Sequence, residues 1–410
     1  MGHPETNHAL LAGRELHIEK WVYGGAGLAR TEGRAVLMPF VLPGETVRAA
    51  VRRERSGLLE ARVEDIVGPA PERCPPLCPY FTRCGGCHYQ HAGYEFQLEQ
   101  KKAVLREVFR RVGKLEAPAE IETIASPPWE YRNRAQFHLV AGRIGYLEAG
   151  SHRLCPVERC PISSPKINEA LSVLREMVGD RRFPRFVRSV ELFTNEREVQ
   201  LTVREADRPV ARRFFDWCAE RIPGAAEGSL DYAAAGYVYR VSHNSFFQVN
   251  RFLTDKLVEC ALGDAAGSAA VDLYAGVGLF SLPLAGRFRQ ATAVETGSAA
   301  IRDLEWNAER ASVCVKAVKS QADLFLLSLD AAPDFLLADP PRPGLTKSVV
   351  RQLVRLRPPR MAIVSCDPAT LARDLGPLLS AGYRIEKLVL IDLFPQTYHI
   401  ETVTHLRRSE

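Results

Sequence analysis

No stretch of this 410-residue chain is apolar for long enough to cross a membrane as a helix. Its first residues, "MGHPETNHALLAGRELHIEK", lack the basic and then apolar order of a secretion signal. A cytoplasmic protein without a membrane partner is therefore expected. Internal repeats and low-complexity tracts are also absent. Charge of one sign is hardly in excess: 54 Lys and Arg against 49 Asp and Glu leave +5, which is compatible with a nucleic-acid partner without demanding one.

Hydrophobic residues make up 46% and charged residues 25%, the balance of a globular protein, and the length suggests two or three domains. Within residues 1–68, 14–68 read as short strands separated by Gly24, Gly25, Gly27, Gly33, Gly44 and Gly57, which suggests a small closed β-barrel. Through "YGGAGLAR" and "VLPGE" this segment resembles the TRAM domain, an OB-like RNA-binding barrel. Residues 69–244 open on a proline-rich, cysteine-rich loop. A helical pattern at 94–114 follows, and then mixed strands and helices of an α+β domain. From 245 to 410, apolar strands ("AAVDLY", "QATAVE", "DFLLAD", "MAIVS", "RIEKLVLIDLF") alternate with helices, the grammar of a doubly wound α/β domain with a mostly parallel sheet.

Its first strand runs into "VDLYAGVGLF", where Gly276 and Gly278 let the backbone pass close to a ligand at the carboxyl edge of the sheet. A dinucleotide site would prefer a third glycine, and that position holds Ser281 or Leu282. Twenty-one residues after Tyr274 the next strand ends in Glu295, where an acid can accept from both ribose hydroxyls. S-adenosylmethionine has the ribose without the phosphates and fits this pairing better. Asp339, in "DPPRPGL", ends another strand on a rigid loop aimed at the same crevice.

In "VSCDPATLARDL", Asp367 suits an N-cap and Pro368 a first helical position, so a helix should begin directly after Cys366. A thiol there lies near unsatisfied amides that favour thiolate, with Asp367 working partly against them. Inert burial is the ordinary fate of such a cysteine when the segment is read alone.

Taken in order, "SHNSFFQVN", "VDLYAGVGLF", "DPPRPGL", "VSCDPATLARDL" and "YHIETVTHL" resemble the RNA uracil-5-methyltransferases of the RlmD, RlmC and TrmA type. The resemblance covers nearly the whole chain. It implies a Rossmann-like S-adenosylmethionine-dependent domain with Cys366 as nucleophile and Glu401 as the base that finishes the reaction. It further implies that Gln248, Tyr274, Glu295, Asp323 and Asp339 line the cofactor or target-base pocket with Gly276 and Gly278, and that Leu279 contributes backbone only. The chemistry calls for these types. Carbon 5 of uracil becomes nucleophilic only after a thiolate adds to carbon 6, and a carboxylate must later remove the carbon 5 proton so that the thiolate can leave.

Six of the ten cysteines, Cys74, Cys78, Cys84, Cys87, Cys155 and Cys160, precede residue 161. "CPYFTRCGGC" offers three close thiols and "CPI" a distant fourth. That set suits a [4Fe-4S] cluster, and a structural zinc could also accept it. The family resemblance implies the cluster, held by Cys78, Cys84, Cys87 and Cys160, while Cys74 and Cys155 could replace Cys78 or Cys160. Uracil methylation needs no electron, so a structural or RNA-contacting role is expected of it.

Arginine groups at 51–56, 130–137 and 181–188 can hold phosphates and stack bases, or simply be solvated edges. The combined features favour a monomeric RNA methyltransferase over a catalytically dead iron-sulfur RNA-binding protein or an electron carrier. 23S ribosomal RNA is the expected substrate and transfer RNA the alternative.

Overall fold

The computed structural model describes Leu11 and residues 14–55 and 57–409; the first part of the 1–68 segment lies outside the described residues. Compactness divides the chain into two units. One comprises Met1–Glu107, Leu147–Cys155 and Phe394–His399, and the other Val108–Tyr146, Pro156–Leu393 and Ile400–Glu410.

In the first unit, Glu15–Gly68 forms a six-stranded sheet. The continuous stretch from Glu15 to Trp21 pairs with Thr46–Arg48 at one end and Gly27–Leu28 at the other, so the sheet closes on itself. Leu16, Ile18, Val36, Met38, Val47 and Leu59 fill its interior. Five of the six expected turn glycines take positive φ, but Gly27 does not. It lies in a strand, where a Cβ would come within 2.4 Å of Val41 and 2.9 Å of Ile18. Trp21 stacks on Tyr89 at 3.8 Å between centroids and donates its Nε1 hydrogen to the Val41 carbonyl at 2.6 Å. The buried Glu45 carboxylate accepts from Arg73 Nη2 at 2.8 Å and from the Leu42 amide at 2.7 Å. These bonds offset its burial and hold it below its usual range.

The expected helix at 94–114 is an α-helix over Tyr94–Val108 that widens into a π turn over Phe109–Gly113. The extra residue per turn breaks the apolar phase, which leaves Val112 exposed while Val104 and Val108 are buried.

The second unit is built on an eight-stranded sheet. Its spatial order is Val315–Lys319, Phe288–Glu295, Gly267–Leu273, Phe335–Ala338, Arg360–Ser365, Glu401–Arg408, Tyr383–Ile391 and Glu122–Ile124. The first five strands are parallel, and Glu401–Arg408 runs antiparallel to both neighbours. The central strands are near-continuous apolar runs, as burial on both faces requires. Val315–Lys319 is an edge strand whose half-buried, lysine-bearing pattern gave no strand signal.

A smaller antiparallel array, Arg143–Leu147, Arg134–Val140, Val187–Thr194 and Val199–Ala206, belongs largely to the same unit. The helix Pro165–Gly179 packs on it with Ser164 as N-cap. The architecture is therefore mixed α/β.

Candidate active site

The parallel register aligns Leu273 with Val294 and Ala338, and Ala338 with Ile363. The strand ends bearing Tyr274, Glu295, Asp339 and Cys366 therefore meet at one carboxyl edge, where open α/β sheets bind ligands.

The glycine turn is held from within. Tyr274, Gly276 and Gly278 all have positive φ, at 64°, 54° and 94°. A Cβ at Gly276 would meet nothing within 4 Å, so the backbone faces open space, whereas one at Gly278 would come within 2.8 Å of Leu282. The Gly276 amide donates to Glu295 Oε2 at 3.0 Å, and the amides of Thr296 and Gly297 donate to Oε1, each at 2.7 Å. Glu295 is thus fixed beside the turn, with Oε2 carrying one of these bonds and room to accept more. Leu279 is buried, and its carbonyl accepts from Tyr239 at 3.1 Å.

Asp272 lies under the turn. Its Oδ2 accepts from Ser281 at 2.5 Å, while Oδ1 is buried without a partner. Burial, with Asp339 and Glu295 nearby, pushes its carboxyl up to about 8. Asp323 lies in the first turn of the short helix Ala322–Leu327; burial, with the charges of Asp323 and Asp374, raises the Tyr274 hydroxyl to about 12. An unpartnered buried oxygen, an open glycine face and a fixed acid together suit a ribose-bearing cofactor.

The second half of the site is the cysteine and its surroundings. Asp367 is the N-cap of the helix Pro368–Ser380 and accepts from the amides of Ala369 at 2.9 Å and Thr370 at 3.0 Å. Those amides are therefore spent on Asp367. Burial and the facing carboxylates of Glu401, Asp339 and Asp367 push the Cys366 thiol up to about 12, against the pull of Arg342. This corrects the expectation of a thiolate stabilised by the helix start: the resting thiol is protonated at neutral pH.

Glu401 begins the antiparallel strand and is buried. Its carboxyl is raised well above the ordinary range by burial and Asp339, with Arg342 opposing. Burial also lifts Asp339, to about 7. Gln248 Nε2 reaches Asp339 Oδ2 at 3.5 Å.

Residues not singled out from the sequence position this centre. Buried Asp303 accepts from the Ser242 amide at 2.8 Å and from the hydroxyls of Ser242 and Ser245, each at 2.6 Å. Asn250 donates to Ser126 at 2.9 Å and to the Leu393 carbonyl at 3.1 Å, and Arg134 donates to the Ser245 carbonyl at 3.1 Å. The segment carrying Gln248 is thereby anchored on both sides, and Phe246 projects from it, 61% exposed. An exposed aromatic between anchored polar residues was the one available signal in "SHNSFFQVN".

Comparison with known proteins decides the class. The family described as tRNA (Uracil-5-)-methyltransferase matches over residues 225–335 and 315–409. The RlmD 23S rRNA (uracil(1939)-C(5))-methyltransferase of Halomonas elongata is 34% identical over 97% of this chain and 90% of its own. The chain belongs to the RNA uracil-5-methyltransferase family.

The RlmD enzyme of Chromohalobacter salexigens is 34% identical to this methyltransferase over 96% of its length, covering 89% of the relative. An RNA methyltransferase of Aquifex aeolicus is 32% identical over 96%, covering 98% of the relative. The crystal structure of the Pyrococcus abyssi tRNA (uracil-54, C5)-methyltransferase with S-adenosyl-L-homocysteine superposes with a TM-score of 0.74 at 24% identity. It covers 95% of this chain and 99% of that one, a likeness of fold.

The candidate cluster cysteines are divided between the two units. Cys74, Cys78, Cys84, Cys87 and Cys155 belong to the first unit and Cys160 to the second. Cys78, Cys84 and Cys87 are half-buried on a loop turned by the amide of Cys84 on the Tyr80 carbonyl at 2.8 Å. Cys74 Sγ lies 3.7 Å from the Gln90 carbonyl. Among the described residues, no group of three or more His, Cys, Asp or Glu side chains is arranged to hold a metal ion. No catalytic step is assigned to the expected [4Fe-4S] cluster.

Proposed function

We propose that this enzyme methylates carbon 5 of a uridine in 23S ribosomal RNA through a covalent adduct between Cys366 and carbon 6 of the base. The observation that carries the reading is the ladder that ends at Ser365 and Thr402. Its next step outward brings a thiol and a carboxylate together at the sheet edge beside Asp339.

The chain's part in the chemistry follows from that grouping. The thiol must first surrender its proton, and among carboxylates raised by burial it has acceptors whose proton affinity is closer to its own than that of a solvated acid. The thiolate sulfur then bonds to carbon 6, and the carbon 5–carbon 6 π pair moves toward carbon 5 and the neighbouring oxygen. Gln248 and a protonated Asp339 are donors suited to that developing enolate. Bound S-adenosylmethionine supplies an electrophilic methyl group. Glu401, its carboxyl raised by burial and Asp339 and only partly drawn back by Arg342, is a strong proton acceptor once ionised and removes the carbon 5 proton. The freed pair reforms the double bond, and the sulfur leaves carbon 6. Tyr274, Glu295, Asp323 and the Gly276–Gly278 turn hold the cofactor, with Leu279 offering backbone only.

The domain reading accompanies this: 1–68 as a TRAM-like RNA-binding barrel, 69–244 as a central α+β region, 245–410 as the catalytic domain. Cys78, Cys84, Cys87 and Cys160 remain our proposed [4Fe-4S] ligands on the chemistry of four soft thiols, and iron and acid-labile sulfide content checks that directly. The substrate assignment rests on the named relatives. Mapping 5-methyluridine in ribosomal and transfer RNA from cells with and without the protein tests it. Loss confined to 23S RNA is expected, and loss confined to transfer RNA would replace it with the alternative.

A further inference from the structure

The arginine segment 181–188 is not used by the catalytic site. It contains four arginines and no acid, with Phe183 and Phe186 between them. In the second unit it borders a groove of about 640 Å³ whose walls include Arg182, Phe186, Arg213, Phe214 and Trp217. The Arg182 guanidinium lies over the Trp217 ring at 4.6 Å from its centroid, and Arg208 over Phe186 at 4.2 Å. Phe214 is buried and braced edge-on by Phe183 at 5.4 Å, so the floor is fixed. Phe186 and Trp217 are half-buried, with part of each ring toward solvent.

The charges around the groove are unevenly spent. Arg182 pairs with Asp180, Arg188 with Asp207 and Arg212 with Asp216; Glu220, the remaining acid on the wall, faces Arg182. Arg208 and Arg213 are exposed and enter no ion pair among the described residues. Arg213, and Arg208 stacked on Phe186, keep guanidinium donors for phosphate beside two half-buried rings that each carry an arginine on one face, a grouping that matches phosphate and nucleobase together. Pro184, Val210 and Ala211 give the wall only a small aliphatic margin; the rest is aromatic and charged, which suits bases and phosphates better than an apolar protein helix.

Strand geometry sets the distance from the chemistry. Phe186 immediately precedes the strand Val187–Thr194, and Phe193 near its far end packs against Phe247 at 6.2 Å between centroids. Seven residues of strand separate groove and catalytic segment by roughly 23 Å.

We infer that this groove binds single-stranded RNA flanking the target, holding a base on Trp217 or Phe186 and phosphates on Arg208 and Arg213. The inference rests on the RNA substrate reading. With full-length protein and a 23S RNA transcript, the double variant R208E/R213E is expected to bind about tenfold more weakly. Its salt-dependence slope should fall by about two, because two phosphate contacts are lost. S-adenosylmethionine affinity and turnover at saturating RNA should be unchanged. A 4-thiouridine-labelled transcript should crosslink to the Trp217 peptide, and Trp217→Ala should remove that crosslink. Unchanged RNA affinity and salt slope in the double variant, or crosslinks confined to other peptides while wild type methylates the transcript, overturns the groove alone. A wild-type protein that neither binds nor methylates RNA overturns both readings.

Discussion

Ser365 faces Thr402 across an antiparallel ladder, and so Cys366 and Glu401, each one residue further out, stand side by side at the carboxyl edge of the sheet. In the chain they are 35 residues apart. The adjacency arises because the last strand returns antiparallel between Arg360–Ser365 and Tyr383–Ile391, so that its first residue lies at the same edge as the end of the parallel strand.

The pair predicts separable mutant phenotypes. Cys366→Ala should abolish methyl transfer while leaving S-adenosylmethionine affinity intact by calorimetry. Glu401→Gln should lower turnover by about 100-fold or more, as loss of a positioned base does. It should also accumulate an RNA adduct visible on a denaturing gel. Equal loss in both variants without any adduct would contradict the division of roles.

The raised thiol predicts a pH dependence. With Cys366 pushed up to about 12, its thiolate fraction and alkylation rate should climb about tenfold per pH unit from 7 to 10, where an ordinary thiol levels off above about 8.5. Peptide-resolved mass spectrometry after iodoacetamide pulses reads this. Glu401→Gln removes an opposing charge and should move the curve to lower pH.

Asp272 predicts a stability effect. Its folded value of about 8 lies above the ordinary carboxyl value near 3.8, so the folded state retains a proton that the unfolded chain releases. This contribution is fully present below about pH 4 and is lost as pH rises through 8. Asp272→Asn keeps an acceptor for Ser281 without the charge. Its melting temperature should exceed wild type by several degrees at pH 8, and the gap should close toward pH 5.

Asp303 predicts a positioning defect. Asp303→Ala strands the Ser242 amide and two hydroxyls, at a cost of about 2–4 kcal/mol in denaturant unfolding. Asp303→Asn, which keeps an acceptor, should fold, retain cofactor affinity and show reduced kcat, because the Gln248 segment is less firmly held.

The strand alternation after 245, the N-cap at Asp367 and the glycine turn were legible because each is a local pattern: apolar runs, Asp-Pro, Gly-x-Gly. The barrel was legible through its turn glycines, although Gly27 serves close packing. What escaped was non-local. The raised thiol depends on Glu401 and Asp339 arriving from other strands. Asp303 acts from a helix some 60 residues from the serines it holds, and it reads in sequence as one more acid on a helix. The π turn at Phe109–Gly113 changes a phase that the pattern extrapolated.

The most direct measurement is trapping with RNA containing 5-fluorouridine, which has no removable proton at carbon 5. With S-adenosylmethionine present, the enzyme should remain covalently attached to the methylated base, and digestion should recover the adduct on the peptide containing Cys366. Methylation of ordinary RNA with no covalent complex on the fluorinated RNA, or an adduct on another residue, would contradict the account.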